Sequence, residues 1–169
     1  MTSLYRAVRA WLRVKDEEIL LSQMAIGMNS TIDVTQNLHM LFLDYDIDDL
    51  DKVLESVKEL QSFWNLAEAY IFKTTHGFHV LFFYDIMPYE RVKMIVDYAR
   101  YVDPMFKAIS RFYDHKTLRA SGKYELRDVH FVKTVLGNRR PTPAEVELGS
   151  MKYKEHKDLL AQWLKNSVN

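Results

Sequence analysis

Leu38–Tyr45 reads Leu-His-Met-Leu-Phe-Leu-Asp-Tyr, an apolar run whose length suits a buried strand and which ends in a carboxylate. Leu41 and Leu43 fall on one face of that strand, Met40 and Phe42 on the other, so a second layer must cover part of the sheet. The period then changes. Leu50, Val53, Leu54, Val57 and Leu60 recur at helical spacing, which predicts a helix capped by Asp48 and running to Gln61. Two β-prone runs follow, over residues 67–74 and 78–84, joined by Thr75-His76-Gly77, a short Gly-containing connection typical of a hairpin. Asp85 and Pro88 begin a second helix that runs to about Tyr101, with proline near the first turn, where a missing N–H does no harm. Asp103-Pro104 opens a third helix in the same way, and residues 117–121 and 124–132 read as strands.

That order contains the βαββαβ arrangement of ferredoxin-like and RNA-recognition-motif-like (RRM-like) sheets, so the expected class is α+β. The expected core spans about residues 36–135, inside one domain of residues 1–169. An N-terminal helical region, residues 1–30, and a C-terminal helix within residues 150–169 are the available covers. Residues 137–149, with Pro141 and Pro143, read as a loop before the closing helix.

Composition narrows the chemistry. With 169 residues and 48% hydrophobic content, the chain can bury one sizeable core but not two domains and a linker. It has no cysteine, which rules out disulfides and thiolate zinc sites and leaves six histidines and 23 acidic residues for any metal chemistry. A reducing, cytoplasmic setting follows as an expectation. No apolar run approaches the roughly 20 residues a bilayer helix needs, so no membrane partner is expected. Arg6, Arg9 and Arg13 alternate with Tyr5, Val8 and Trp11 at helical spacing, the pattern of an amphipathic helix rather than a signal peptide. The 23 basic residues balance the 23 acidic ones, which argues against a surface that grips nucleic acid all round. The charge is nonetheless segregated: basic residues cluster over 111–127 and 133–140, and 44–51 is an acidic run.

Asp44 and Asp46 lie two apart at a strand end, so both side chains project from one face and can hold divalent cations. The same acids also suit an exposed strand end, with Asp46 or Asp48 capping the next helix. His79 is flanked by Val80 and Leu81 and is either a phosphate contact or a hydrogen-bonded core histidine. Beside it, Lys73-Thr74-Thr75-His76-Gly77 offers hydroxyls, amides and a cation suited to phosphates. Arg119, Ser121 and Lys123 alternate as a basic comb, for a triphosphate or template backbone, or as the solvent face of an edge strand. Asp103, by itself, is an N-cap.

Taken together, these residues resemble the signature of the archaeo-eukaryotic primase superfamily, whose members include primase small subunits and primase-polymerases. The family's first motif, apolar residues followed by Asp-x-Asp, resembles Leu41-Phe42-Leu43-Asp44-Tyr45-Asp46. Its second, a small-residue and Gly turn leading to an aromatic and a His in a strand, resembles Thr74-Thr75-His76-Gly77-Phe78-His79-Val80, with Thr75 where many relatives have Gly. Its third, an Asp and then a strand carrying Arg and Lys, resembles Asp103 with Leu118-Arg119-Ala120-Ser121-Gly122-Lys123, and Asp114 rivals Asp103 as the carboxylate. The resemblance covers roughly residues 38–125. It implies a primase or primase-polymerase core with two Mg2+ or Mn2+ ions on Asp44, Asp46 and Asp103. It also implies NTP or dNTP substrates contacted by His79, Arg119 and Lys123, beside which the turn residues Thr74, Thr75 and His76 and the comb residue Ser121 are further candidate nucleotide contacts. The implied partners are single-stranded DNA template or primer-template, with a helicase or accessory primase subunit, in a prokaryotic, plasmid or viral replicon. A primase-like accessory subunit that binds nucleic acid without catalysis is the competing expectation.

Overall fold

In the computed structural model, which describes residues 27–119, 129–152 and 154, the chain forms an α+β fold on a five-stranded antiparallel sheet. The strands are β1 Gly27–Asn29, β2 Thr31–Asp33, β3 Leu38–Tyr45, β4 Ala69–Lys73, β5 Phe78–Pro88, β6 Thr117–Arg119 and β7 His130–Val135. The helices are α1 Leu50–Trp64, α2 Tyr89–Tyr98, α3 Pro104–Ile109 and α4, residues 143–152. The main sheet runs β2-β3-β5-β4-β7, and β1 pairs with β6 in a separate two-stranded ladder. Both β3 and β4 run antiparallel to β5, hence parallel to one another, and α1 crosses between them. That is the split βαβ of ferredoxin-like sheets.

The edges depart from the expected order. In a βαββαβ sheet the last strand lies beside the first, but here β2 takes that place and β6 is held outside it. Ser30 is the joint: its carbonyl accepts from the Met40 N–H and its own N–H donates to the Lys116 carbonyl, both at 2.8 Å. Residues 27–30 therefore belong to paired, extended chain rather than to an N-terminal helix, because their backbone groups are satisfied across to β3 and β6. The rest of the expected N-terminal helix and residues 120–128 lie outside the described residues, as does the expected closing helix apart from residues 150–152 and 154, which are helical.

Asp49, not Asp48, caps α1: its carboxylate accepts from the Lys52 N–H at 3.1 Å. The helix runs on to Trp64 and stops at Asn65, in left-handed conformation at φ 53°, whose N–H returns to Gln61. Gln61 is buried inside that last turn, its amide donating to the Ala67 and Val135 carbonyls at 2.8 and 3.0 Å.

Residues 85–88 continue β5 instead of starting a helix. Met40 pairs with Ile86 and Leu41 with Phe82, so Phe83, Tyr84 and Asp85 bulge out and the ladder resumes beyond them. Asp85 is buried in the bulge, accepts from the Ala67 N–H at 3.0 Å and pairs with Arg139 at 2.7 Å. Burial pushes its carboxyl up to about 6 against the opposing pull of Arg139. The second helix begins only at Tyr89 and ends at Tyr98, short of Tyr101, which takes a positive φ of 62°. The segment 137–149 is likewise not all loop. Thr142 and Glu145 exchange hydrogen bonds in a capping box that starts α4, with Pro143 in the first turn. Among the described residues no helix is long and apolar enough to cross a membrane.

The hairpin turn between β4 and β5 is pressed onto the end of β3. A Cβ added at Gly77 would lie 1.8 Å from the Tyr45 carbonyl oxygen and 3.1 Å from the Asp46 Cα. No side chain fits between two backbones at that separation. Gly77→Ala should therefore cost about 1–3 kcal/mol in urea denaturation, while Thr75→Ala at the exposed tip of the same turn should leave the midpoint almost unchanged. Equal midpoints for the two variants would show that the turn is not seated there.

Candidate functional site

Strand alternation sets the site. Tyr45 points into the helical layer, where its hydroxyl meets Ser56 Oγ at 3.0 Å and Ser56 in turn donates to the Arg100 carbonyl at 2.9 Å. Burial drives the Tyr45 phenol far above its ordinary range, so it stays neutral and acts as an anchor. Asp44, its neighbour in the strand, must then face the opposite side of the sheet. There it lies in register with His79 of β5, with the imidazole Nε2 3.6 Å from Asp44 Oδ1. His79 is buried, Asp44 is about one-third exposed, and Asp46 stands exposed one residue past the strand.

Two other segments close on this strand end. In the turn, the Thr74 N–H donates to the Gly77 carbonyl at 2.9 Å and the Gly77 N–H to Thr74 Oγ1 at 3.0 Å. Thr74 is thereby buried as a structural brace, and Thr75 and His76 remain exposed at the tip. Lys73 Nζ reaches Asp48 at 2.9 Å and lies 4.6 Å above the Phe78 ring centre. From the other side, the Asp103 N–H donates to the Asp44 carbonyl at 2.8 Å. The Asp103 carboxylate caps α3, accepting from the Met105 and Phe106 N–H groups at 3.0 Å each. Asp103 is thus an N-cap and also a backbone neighbour of Asp44.

Asp114 does not join them. Asp114 is exposed and pairs with His115 at 2.7 Å, and its charge acts on His39 and Tyr89. His39 lies five residues before Asp44, about 17 Å along an extended strand, so Asp114 belongs to the far end of β3 and does not rival Asp103. Arg119 stands in β6 opposite Gly27, outside the main sheet. Ser121 and Lys123 lie outside the described residues.

A residue with no signal in the sequence sits behind the site. Lys116 is 1% exposed, its ammonium donating to the Phe106 carbonyl and lying 4.0 Å above the Phe106 ring centre. Burial pulls it down to about 8, against the opposing charges of Asp97 and Asp103. A lysine before a strand ordinarily reads as a surface residue.

Among the described residues, no three acidic and imidazole side chains converge as a ready-made metal ligand set. Magnesium is commonly held by one or two carboxylates together with substrate phosphates and water rather than by an all-protein cage. Asp44 and Asp46 supply that number of hard oxygens at an open strand end, so the donor set fits a cation that arrives with a nucleotide.

Lys116 also makes a pH prediction. Its value in the fold, about 8, lies below the ordinary 10.5, so folding is penalised fully below about 8 and the penalty fades as pH rises to 10.5. Lys116→Met should stabilise the protein at pH 7 by about 1–2 kcal/mol, and the gain should vanish above pH ~10.5. A pH-independent difference in urea midpoints would mean that the ammonium is not desolvated.

Comparison of the chain with protein-family models, with curated proteins and with solved structures found no match, and the function is therefore argued from the chemistry of this strand end.

Proposed function

We propose that this chain is a metal-dependent nucleotidyltransferase of the primase-polymerase type, which starts or extends a nucleic-acid strand on a template. The observation that carries the reading is the convergence at the end of β3. Asp44 faces His79 in register, Gly77 is seated on the Tyr45 carbonyl, and Asp103 is bonded to the Asp44 backbone. Three segments far apart in sequence, the same three that carry the resemblance, meet at one place.

Asp44 and Asp46 are the residues that would hold a divalent cation. Such a cation neutralises phosphate charge and acidifies an attacking 3′-hydroxyl. The chain's own part is mostly positioning, because phosphoryl transfer asks little covalent help of protein groups. His79, held beside Asp44 by the ladder, presents a ring nitrogen at the level where a phosphate would lie. Thr75 and His76 add a hydroxyl, an imidazole and backbone amides at an exposed turn. The Tyr45–Ser56–Arg100 chain keeps the backbone between the two acids from shifting.

One observation favours a second reading, a binding module without catalysis. Both oxygens of Asp103 already accept from its own helix, which leaves two carboxylates rather than three turned to the site.

Incubation with single-stranded template, with or without primer, both nucleotide types and Mn2+ or Mg2+ separates the two. Asp44→Ala should lower synthesis by more than about a hundredfold, with the thermal midpoint nearly unchanged because Asp44 is partly exposed. Synthesis that survives the substitution would sink the catalytic reading. No synthesis by the unaltered protein, together with no Mn2+-dependent nucleotide heat in calorimetry, would favour the binding module.

A further inference from the structure

One row of the sheet leads straight out of this site. Asp44 of β3 pairs with His79 of β5, His79 with Phe72 of β4, and Phe72 with Phe131 of β7. Residues paired across strands share a face, so a carboxylate, an imidazole and two phenyl rings follow one another across four strands. At about 4.8 Å per strand, Phe131 stands about 10 Å from His79. The Phe72 and Phe131 rings meet edge to face with centroids 5.7 Å apart. Phe72 is half-buried and fixed by the sheet, while Phe131 is 54% exposed.

The surroundings select the occupant. The residues of β7 are His-Phe-Val-Lys-Thr-Val, so this edge strand carries no acid, and His130 and Lys133, which pair with Lys73 and Ile71 and therefore face the other side of the sheet, stand exposed along the same edge. A protein partner's apolar patch would call for contiguous apolar surface, whereas one open ring on a sheet edge that carries an imidazole and an ammonium but no acid suits a flat base on a negatively charged backbone. We propose that Phe131, backed edge-on by Phe72, is a stacking platform for an unpaired nucleobase of a single strand, whose phosphates run on toward the Asp44–His79 end. The direction of the strand rests on the proposed reading of Asp44 and His79; the platform itself does not.

The test is fluorescence anisotropy of a fluorescein-labelled oligothymidylate at fixed salt with EDTA present, so that no metal chemistry contributes. Phe131→Ala should weaken binding about tenfold, and Phe131→Trp should retain it or tighten it. Circular dichroism of the Phe131 variants checks the fold, which an exposed edge position should leave intact. Equal affinities for the unaltered protein and Phe131→Ala would overturn the platform, as would failure of the unaltered protein to bind. An equal loss by Phe131→Ala on duplex DNA would overturn it too, because a paired base has no free face. The two readings fail separately. Synthesis lost in Asp44→Ala with Phe131-independent binding sinks the platform alone, and Phe131-dependent binding in a protein that makes no strand sinks the catalysis alone.

Discussion

The register in which the Asp44 end of β3 pairs with β5 holds the rest of the structure in place. Side chains alternate with period two, so a slip of one residue would turn Asp44 into the helical layer and bring Tyr45 to the opposite face. Three contacts oppose that slip. The Tyr45 hydroxyl is tied to Ser56, the Gly77 backbone lies against the Tyr45 carbonyl, and the Asp103 N–H is bonded to the Asp44 carbonyl. The bulge at residues 83–85 absorbs three residues of β5 in mid-ladder and so allows both ends to pair. The geometry of the site is thus an outcome of backbone fit, with the acidic side chains carried along.

Buried polar groups in this protein mark the seams where other segments are fastened to the sheet. Ser30 joins β6, Ser56 the chain after α2, Gln61 the end of β7, Asp85 the start of α4 through Arg139, and Lys116 the α3 backbone. Each is paired, as burial requires. The indole N–H of Trp64 and the hydroxyl of Tyr89 are buried without a hydrogen-bond partner among the described residues. A paired group at each seam fixes one way of docking, which a purely apolar seam would leave less defined.

What could be read in advance follows from range. β3 was legible because an apolar run bounded by polar residues needs no partner to be recognised, and α1 because five apolar residues keep helical phase. The cap was off by one, since Asp48 and Asp49 are equally good local candidates and only the observed chain path chooses between them. Asp85 and Pro88 carry the local marks of a helix start, yet Ile86 and Met87 are claimed by β3 from more than forty residues away. Pro141 and Pro143 look like loop markers, but with Thr142 and Glu145 they begin a helix. In the site, the order of Asp44 and His79 was legible from motif spacing. The burial of Lys116 and the removal of Asp114 to the far end of β3 were not, because both depend on where α3 and β6 come to rest.

The four-strand row from Asp44 to Phe131 also has a history built into it. Loop closure costs more entropy as the loop grows, and the three pairings in the row close loops of different length. The Phe72–His79 pair closes over the turn at residues 74–77 alone, Asp44 joins it across α1 and β4, and Phe131 returns to β4 only after α2, α3 and β6. Ranked by that entropy, the row assembles from its centre outward, with the imidazole and inner ring first, the carboxylate next and the exposed ring last. A chain still emerging from the ribosome can therefore hold the acid–imidazole pair in place before the residue at the sheet's outer edge has been synthesised.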